Sequence, residues 1–165
     1  LARRDPRIAL LVEVLDGSFG RRSWHGTTLR GAFRGMTPRQ ALRRPKPGTH
    51  CAWELALHAA YWKFFARMRL EGRATEGFRR SPANWPRLPR PADGAALRAD
   101  LRLLSDEHRL LLAAVRRFRP ADLDRKTPSG KLTWRQVIFG VAAHDAHHGG
   151  QVQLLKRLGR GRREG

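Results

Sequence analysis

His144 and His148 stand four residues apart in a segment whose apolar residues recur at helical spacing. Residues four apart on a helix share a face, with Cβ atoms roughly 5–6 Å apart, so two imidazoles so placed can meet one cation. The row through them reads Val137, Val141, His144, His148, Gln151, Leu155 and Leu158, stepping by four and three. It predicts three successive polar side chains in an otherwise apolar stripe. Burying one unpartnered polar group costs roughly 1–3 kcal/mol, so three in succession need a shared reason. A metal ion supplies one, because zinc and its neighbours take three protein ligands in an open site and keep a further position for water or substrate. His58 offers the third ligand, since it falls between Leu55 and Trp62 on an apolar helical face and is expected to point inward. The expectation is a divalent transition metal on His58, His144 and His148. Gln151, one turn beyond His148, is the candidate for positioning substrate or a water beside the ion.

Other polar residues compete for these roles. A lone histidine on an apolar face is more often a satisfied core residue than a ligand, which suits His108, bonded to a backbone carbonyl or a water. His147 is the rival within the motif, turned off the stripe of His144 and His148. Asp145 also lies off that stripe and reads either as a carboxylate orienting a ligating imidazole or as a solvated charge.

Four long helical segments must hold these residues. Asp5-Pro6 reads as an N-cap and first helical residue, with Ile8, Leu11 and Leu15 on one face. Thr37-Pro38 opens a short turn. The second long helix is expected from about Thr49 to Leu70, with Gly72 as its stop. Residues 72–91 turn to Gly, Pro and Arg, and a connection of that length predicts a long crossover or a loop covering the site. Asp93 caps a third helix with the stripe Leu97, Leu101, Leu104, His108, Leu111, Val115 and Phe118. Thr133 and Gln136 make a capping box for the fourth, expected to end at Leu158 before Gly159. No segment alternates with period two, so the fold expected is an all-α four-helix bundle with a long crossover connection, a single domain over residues 1–165.

With these elements in place, a family resemblance emerges. The stretch His144-Asp145-Ala146-His147-His148-Gly149-Gly150-Gln151, followed by Leu154-Leu155-Lys156-Arg157, resembles the C-terminal signature of the DinB/YfiT-like superfamily. Pro47-Gly48-Thr49-His50 with Trp53-Glu54-Leu55, His58 and Trp62 is similar to its second-helix motif, and Trp24-His25-Gly26, Leu29 and Trp134 agree with one branch. The resemblance covers nearly the whole chain. It implies a four-helix bundle, often a homodimer, whose histidine triad, here His58, His144 and His148, binds zinc, nickel or a similar ion. The family includes thiol-dependent S-transferases that use bacillithiol or mycothiol, and many members without known activity. Its name records induction by DNA damage and implies no DNA binding.

The enzyme expected is thus a metal-dependent transferase activating a low-molecular-weight thiol, or a related hydrolase. Arg79, Arg80, Arg87 and Arg90 on the long loop would suit a small-molecule substrate bearing carboxylates. A non-catalytic metal-binding or interaction protein is the alternative, with His108 or His147 as a fourth ligand. No Ser-His-Asp arrangement is evident, and Cys51 near a helix start reads as a small capping-region residue rather than a nucleophile.

Composition narrows the classes further. The chain carries 34 Lys and Arg against 14 Asp and Glu, a formal charge of +20, and only five of the basic residues are Lys. A nucleic-acid binder gathers such charge into a stripe, whereas here only the tail with Lys156, Arg157, Arg160, Arg162 and Arg163 is densely basic. A basic nucleic-acid-binding bundle therefore ranks below the metal readings, and no specific nucleic acid is expected as partner. No signal-peptide pattern and no apolar run of the ~18–20 residues needed to span a bilayer is present, so no membrane partner is expected. One cysteine rules out an intrachain disulfide and fits a reducing cytoplasm.

Overall fold

Each long helix begins where the sequence supplies a cap. The computed structural model describes residues 5–20, 23–24 and 26–160. Asp5 accepts from the Arg7 amide, with Pro6 in the first turn, and opens α1 (Pro6–Phe19). Thr28 and Thr37 cap two single turns, α2 (Leu29–Ala32) and α3 (Pro38–Ala41). The helix expected from Thr49 starts later, as α4 (Ala52–Leu70), because the Glu54 carboxylate accepts from the Cys51 amide at 2.9 Å and closes the first turn there. Asp93 accepts from the Ala96 amide to begin α5 (Gly94–Arg117). A 3-10 turn, Pro120–Asp122, follows. Thr133 and Gln136 then cap each other's backbone amides at the start of α6 (Trp134–Arg160).

α6 passes through Gly159 instead of stopping before it. One glycine costs a helix only about 1 kcal/mol, and the Arg43 guanidinium donates to the Gly159 carbonyl, satisfying a group a helix end leaves open. Of the basic tail, Arg162 and Arg163 lie outside the described residues, as does His25.

α1, α4, α5 and α6 form the bundle, each packed on two neighbours in the circular order α1, α5, α4, α6. Bonds between elements give their directions. Trp53 meets Asp100 and Lys63 meets His108, so α4 and α5 run the same way. His58 meets His144 while Lys63, further along α4, meets Asp145 close to His144 on α6, and the α6 core residues Val141 and Ala142 join Ala66 in the next layer, so α4 and α6 are antiparallel. Parallel neighbours cannot be joined by a tight turn. The chain must return the length of α4, about 28 Å at 1.5 Å per residue, which is why residues 71–93 form a long crossover. The all-α four-helix bundle with a crossover is the fold expected. Among the described residues there is no strand beyond an isolated bridge between Lys126 and Thr133, and no helix is long and apolar enough to cross a membrane.

The core is apolar at both ends and polar between them. One cluster gathers Leu11, Leu15, Ala66, Leu111, Ile138 and Val141, and another Phe19, Leu55, Ala59, Ala60, Leu104 and Val152. Along α4, α5 and α6, the buried residues between these clusters include Lys63, His108 and Asp145.

Candidate metal centre

α4 and α6 bring His58, His144 and His148 together at the edge of this polar layer. His144 Nε2 lies 3.1 Å from His58 Nε2 and 3.0 Å from His148 Nε2, and the three ligand atoms all fall within 4.8 Å of one another. Two rings are held by their other nitrogen. His58 Nδ1 lies 2.8 Å from the Asn84 carbonyl oxygen, which can only accept, so the proton sits on Nδ1 and the Nε2 lone pair faces inward. His148 Nδ1 donates to Gln151 Oε1 at 2.6 Å, with the same consequence. His144 Nδ1 is buried with no partner.

Electron-rich nitrogens that converge repel one another unless a proton or a metal ion lies between them. A neutral His144 can place its one proton on Nε2 and so answer only one of its two neighbours, and a further proton is disfavoured. Burial first, then the neighbouring imidazoles, hold His144 at about 3, and burial brings His148 to about 4 despite the Gln151 bond. Burial also lowers His58. Tetrahedral zinc with Zn–N of about 2.0–2.1 Å sets its ligands about 3.3 Å apart, a few tenths of an ångström from the two separations. The donor set therefore fits a divalent metal.

The crossover covers the site, as its length suggested. Asn84 adopts φ 69°, a left-handed conformation that asparagine tolerates better than most residues. From there its carbonyl meets His58, and its side-chain oxygen accepts from Trp62 Nε1 at 3.0 Å. Trp85 stacks between His58 and His50, with ring centroids 3.8 and 3.6 Å apart. Beside the triad opens a cleft of about 540 Å³ lined by His50, Leu55, Trp85, His147, Gln151 and Leu154, among others.

The sequence model of the DinB superfamily matches residues 22–152, a span holding all three histidines and the crossover. The chain belongs to the DinB superfamily. No curated protein and no solved structure matches it. The resemblance seen in the motifs around His58 and His144 is thereby borne out.

Several expectations change in this DinB-superfamily bundle. The buried face of α6 runs through Ile138, Val141, Ala142, Asp145, His148 and Val152. The row expected in the core lies along its edge: His148 is buried, His144 half-buried, and Gln151 and Leu158 exposed. An alternating four-and-three row fixes the period of a helix but leaves its inward direction uncertain by a fraction of a turn. Asp145 is neither a solvated charge nor bonded to an imidazole; fully buried, it pairs with Lys63. His108 bonds no carbonyl. Its Nδ1 lies 3.3 Å from Lys63 Nζ, its ring stacks on Phe19, and its Nε2 is 3.5 Å from Asp16. His147 is exposed beside the cleft. Arg80 is bound to buried Asp100, which also accepts from Trp53 Nε1, and Arg79, Arg87 and Arg90 do not line the cleft either. Cys51 is fully buried and burial raises its thiol, so it offers no thiolate nucleophile.

Lys63, Asn84 and Trp85 escaped the sequence reading. Lys63 carried a faint signal, a lysine in an arginine-biased chain within an apolar helix. Trp85 carried another, an aromatic residue among the prolines of a polar connection.

Proposed function

We propose that His58, His144 and His148 hold one divalent ion, zinc or nickel, and that the protein is a metal-dependent enzyme acting on a small molecule in the adjoining cleft. The convergence of three Nε2 atoms, two of them on rings whose Nδ1 is pinned as a donor, carries this reading. Imidazole suits both metals. Three neutral ligands leave the ion's charge intact, so when bound it would supply Lewis acidity that lowers the pKa of a water or a thiol. The protein's own part is positional. The Asn84 carbonyl and Gln151 fix two ring orientations, Trp85 shields one ring face, and Leu55 and Leu154 make the entrance apolar. Transfer to or from a low-molecular-weight thiol is the reaction we favour within this class, with hydrolysis as its relative. A fourth protein ligand would favour a purely structural metal, but both ring nitrogens of His108 face other groups, and among the described residues the cluster contains three.

Elemental analysis of protein purified without a metal-affinity column tests the site. About one ion per chain is expected, lost in His58→Ala, His144→Ala or His148→Ala and kept in His50→Ala. Full occupancy in the His144→Ala, His148→Ala double variant would refute the assignment. With cobalt in the site, a small thiol should change the visible spectrum and release a proton. A spectrum that millimolar thiol leaves unchanged would overturn the transferase reading while leaving a structural metal.

A further inference from the structure

Away from the triad, α2 and α5 enclose a second cleft of about 640 Å³, within the roughly 300–1,000 Å³ typical of small-molecule sites. Its lining divides into two kinds. The apolar part is Phe19, Phe33, Leu101 and Leu104, of which Phe19, Phe33 and Leu104 belong to the core. The rest is dominated by Arg30, Arg34, Arg98 and Arg102, all exposed, and no acidic residue contributes. Arg98 and Arg102 are one helical turn apart on α5 and share a face, and Arg30 on α2 and Arg34 in the turn after it line the same cleft.

These four arginines carry charge that no neighbouring carboxylate among the described residues offsets. Ten described arginines elsewhere are matched by carboxylates, among them Arg7 by Asp5, Arg67 by Glu107, Arg119 and Arg125 by Asp122, and Arg135 by Asp124. Among the described residues no carboxylate pairs with Arg30, Arg34, Arg98 or Arg102. Four uncompensated positive charges beside an apolar floor suit a ligand with an apolar body and concentrated negative charge. An oligophosphate places several negative charges within a few bonds and matches the guanidinium fork, whereas a carboxylate ligand would need several separate groups to equal it.

We propose that this cleft binds an organic oligophosphate of the nucleotide type, its flat body on Phe33 and Leu101 and its phosphates between the two arginine pairs. The site is separate from the histidine triad, so the proposal stands or falls independently of the metal.

Calorimetry at physiological salt with three probes tests it. ATP should bind more tightly than tripolyphosphate, which lacks the flat body, and adenosine, which lacks the charge, should not bind measurably. The Arg98→Gln, Arg102→Gln double variant should weaken ATP by on the order of tenfold or more, the loss expected for charge-assisted bonds to one group. Arg119→Gln with Arg125→Gln, the same change in charge elsewhere, should leave ATP binding as it was, and His148→Ala should also leave it unchanged. Equal weakening by both arginine pairs would reduce the effect to diffuse charge and overturn the proposal. So would ATP and tripolyphosphate binding alike, or displacement of ATP by single-stranded DNA that strengthens with strand length, the mark of a nucleic-acid surface. Circular dichroism confirms that each variant is folded before binding is read.

Discussion

Two clusters of polar side chains interrupt the same bundle, and they solve the problem of burial in opposite ways. In the sealed one, Lys63 and Asp145 form an ion pair with both side chains fully excluded from water, and His108 and Phe19 pack around the ammonium. Burial lowers Lys63 and raises Asp145, and their mutual attraction opposes both shifts. Its donors and acceptors largely answer one another, Asp145 Oδ1 being the exception. In the open cluster the lone pairs of His58 and His148 both face His144 Nε2, whose single proton can answer only one of them, and a cleft adjoins the three rings. A cluster that neutralises itself is suited to holding helices in register. One left electron-rich beside an opening is suited to taking a cation. Asp145 and His144 are consecutive in sequence, so one residue of rotation, about 100°, separates the two outcomes.

The largest expected effect breaks the sealed cluster. Lys63→Met or Asp145→Leu alone strands a buried charge and should cost about 3–5 kcal/mol of unfolding free energy in urea titrations, whereas the double variant should recover most of it. His148→Ala in metal-free protein should cost far less. If Asp145→Leu left stability intact but emptied the metal site, the two clusters would have to be treated as a single unit.

A smaller effect probes how firmly the open cluster is held. Gln151→Ala frees His148 Nδ1 while leaving all three histidines in place, and should weaken zinc affinity by roughly 10–100-fold in competition with a chelator if they hold the ion as proposed. An unchanged affinity would leave the ring oriented by packing alone.

The smallest concerns pH. Burial first, then the charges of Lys63, Arg116 and Arg30, hold His108 at about 2, far below its ordinary 6.5. The unfolded chain therefore binds a proton that the folded chain refuses at any pH between these values. The contribution of neutral His108 is fully present above pH 6.5 and is lost progressively as pH falls below it, amounting to about 1.4 kcal/mol by pH 5.5. The open histidines, also lowered, act in the same direction. His108→Leu in chelator-treated protein should make the decline between pH 7.5 and 5.5 shallower by one group's share, and equal slopes would remove His108 from the account.

Most of the helical framework was legible in local chemistry. Asp5-Pro6, Asp93 and the Thr133–Gln136 pair each satisfy helix-end amides through residues two or three positions away, so their effect can be read without knowing the fold. The three histidines were legible because their spacing repeats the helical period and their chemistry is unusual in an apolar row. Lys63 was hidden because its partners Asp145 and His108 are 82 and 45 residues away. Nothing local marks a lysine that a distant carboxylate will meet.

The sequence by itself determined four helices, their caps, a long irregular connection and imidazoles spaced to share a face, since all of these arise within a few turns of backbone. Only the tertiary structure decided which face of α6 points inward, that the crossover lays Asn84 and Trp85 on His58, that Arg80 is spent on Asp100, and that four arginines from α2, the turn after it and α5 share one cleft. Those outcomes depend on how four helices rotate and slide against one another to bury a common core, and that choice minimises the free energy of the whole bundle rather than of any segment.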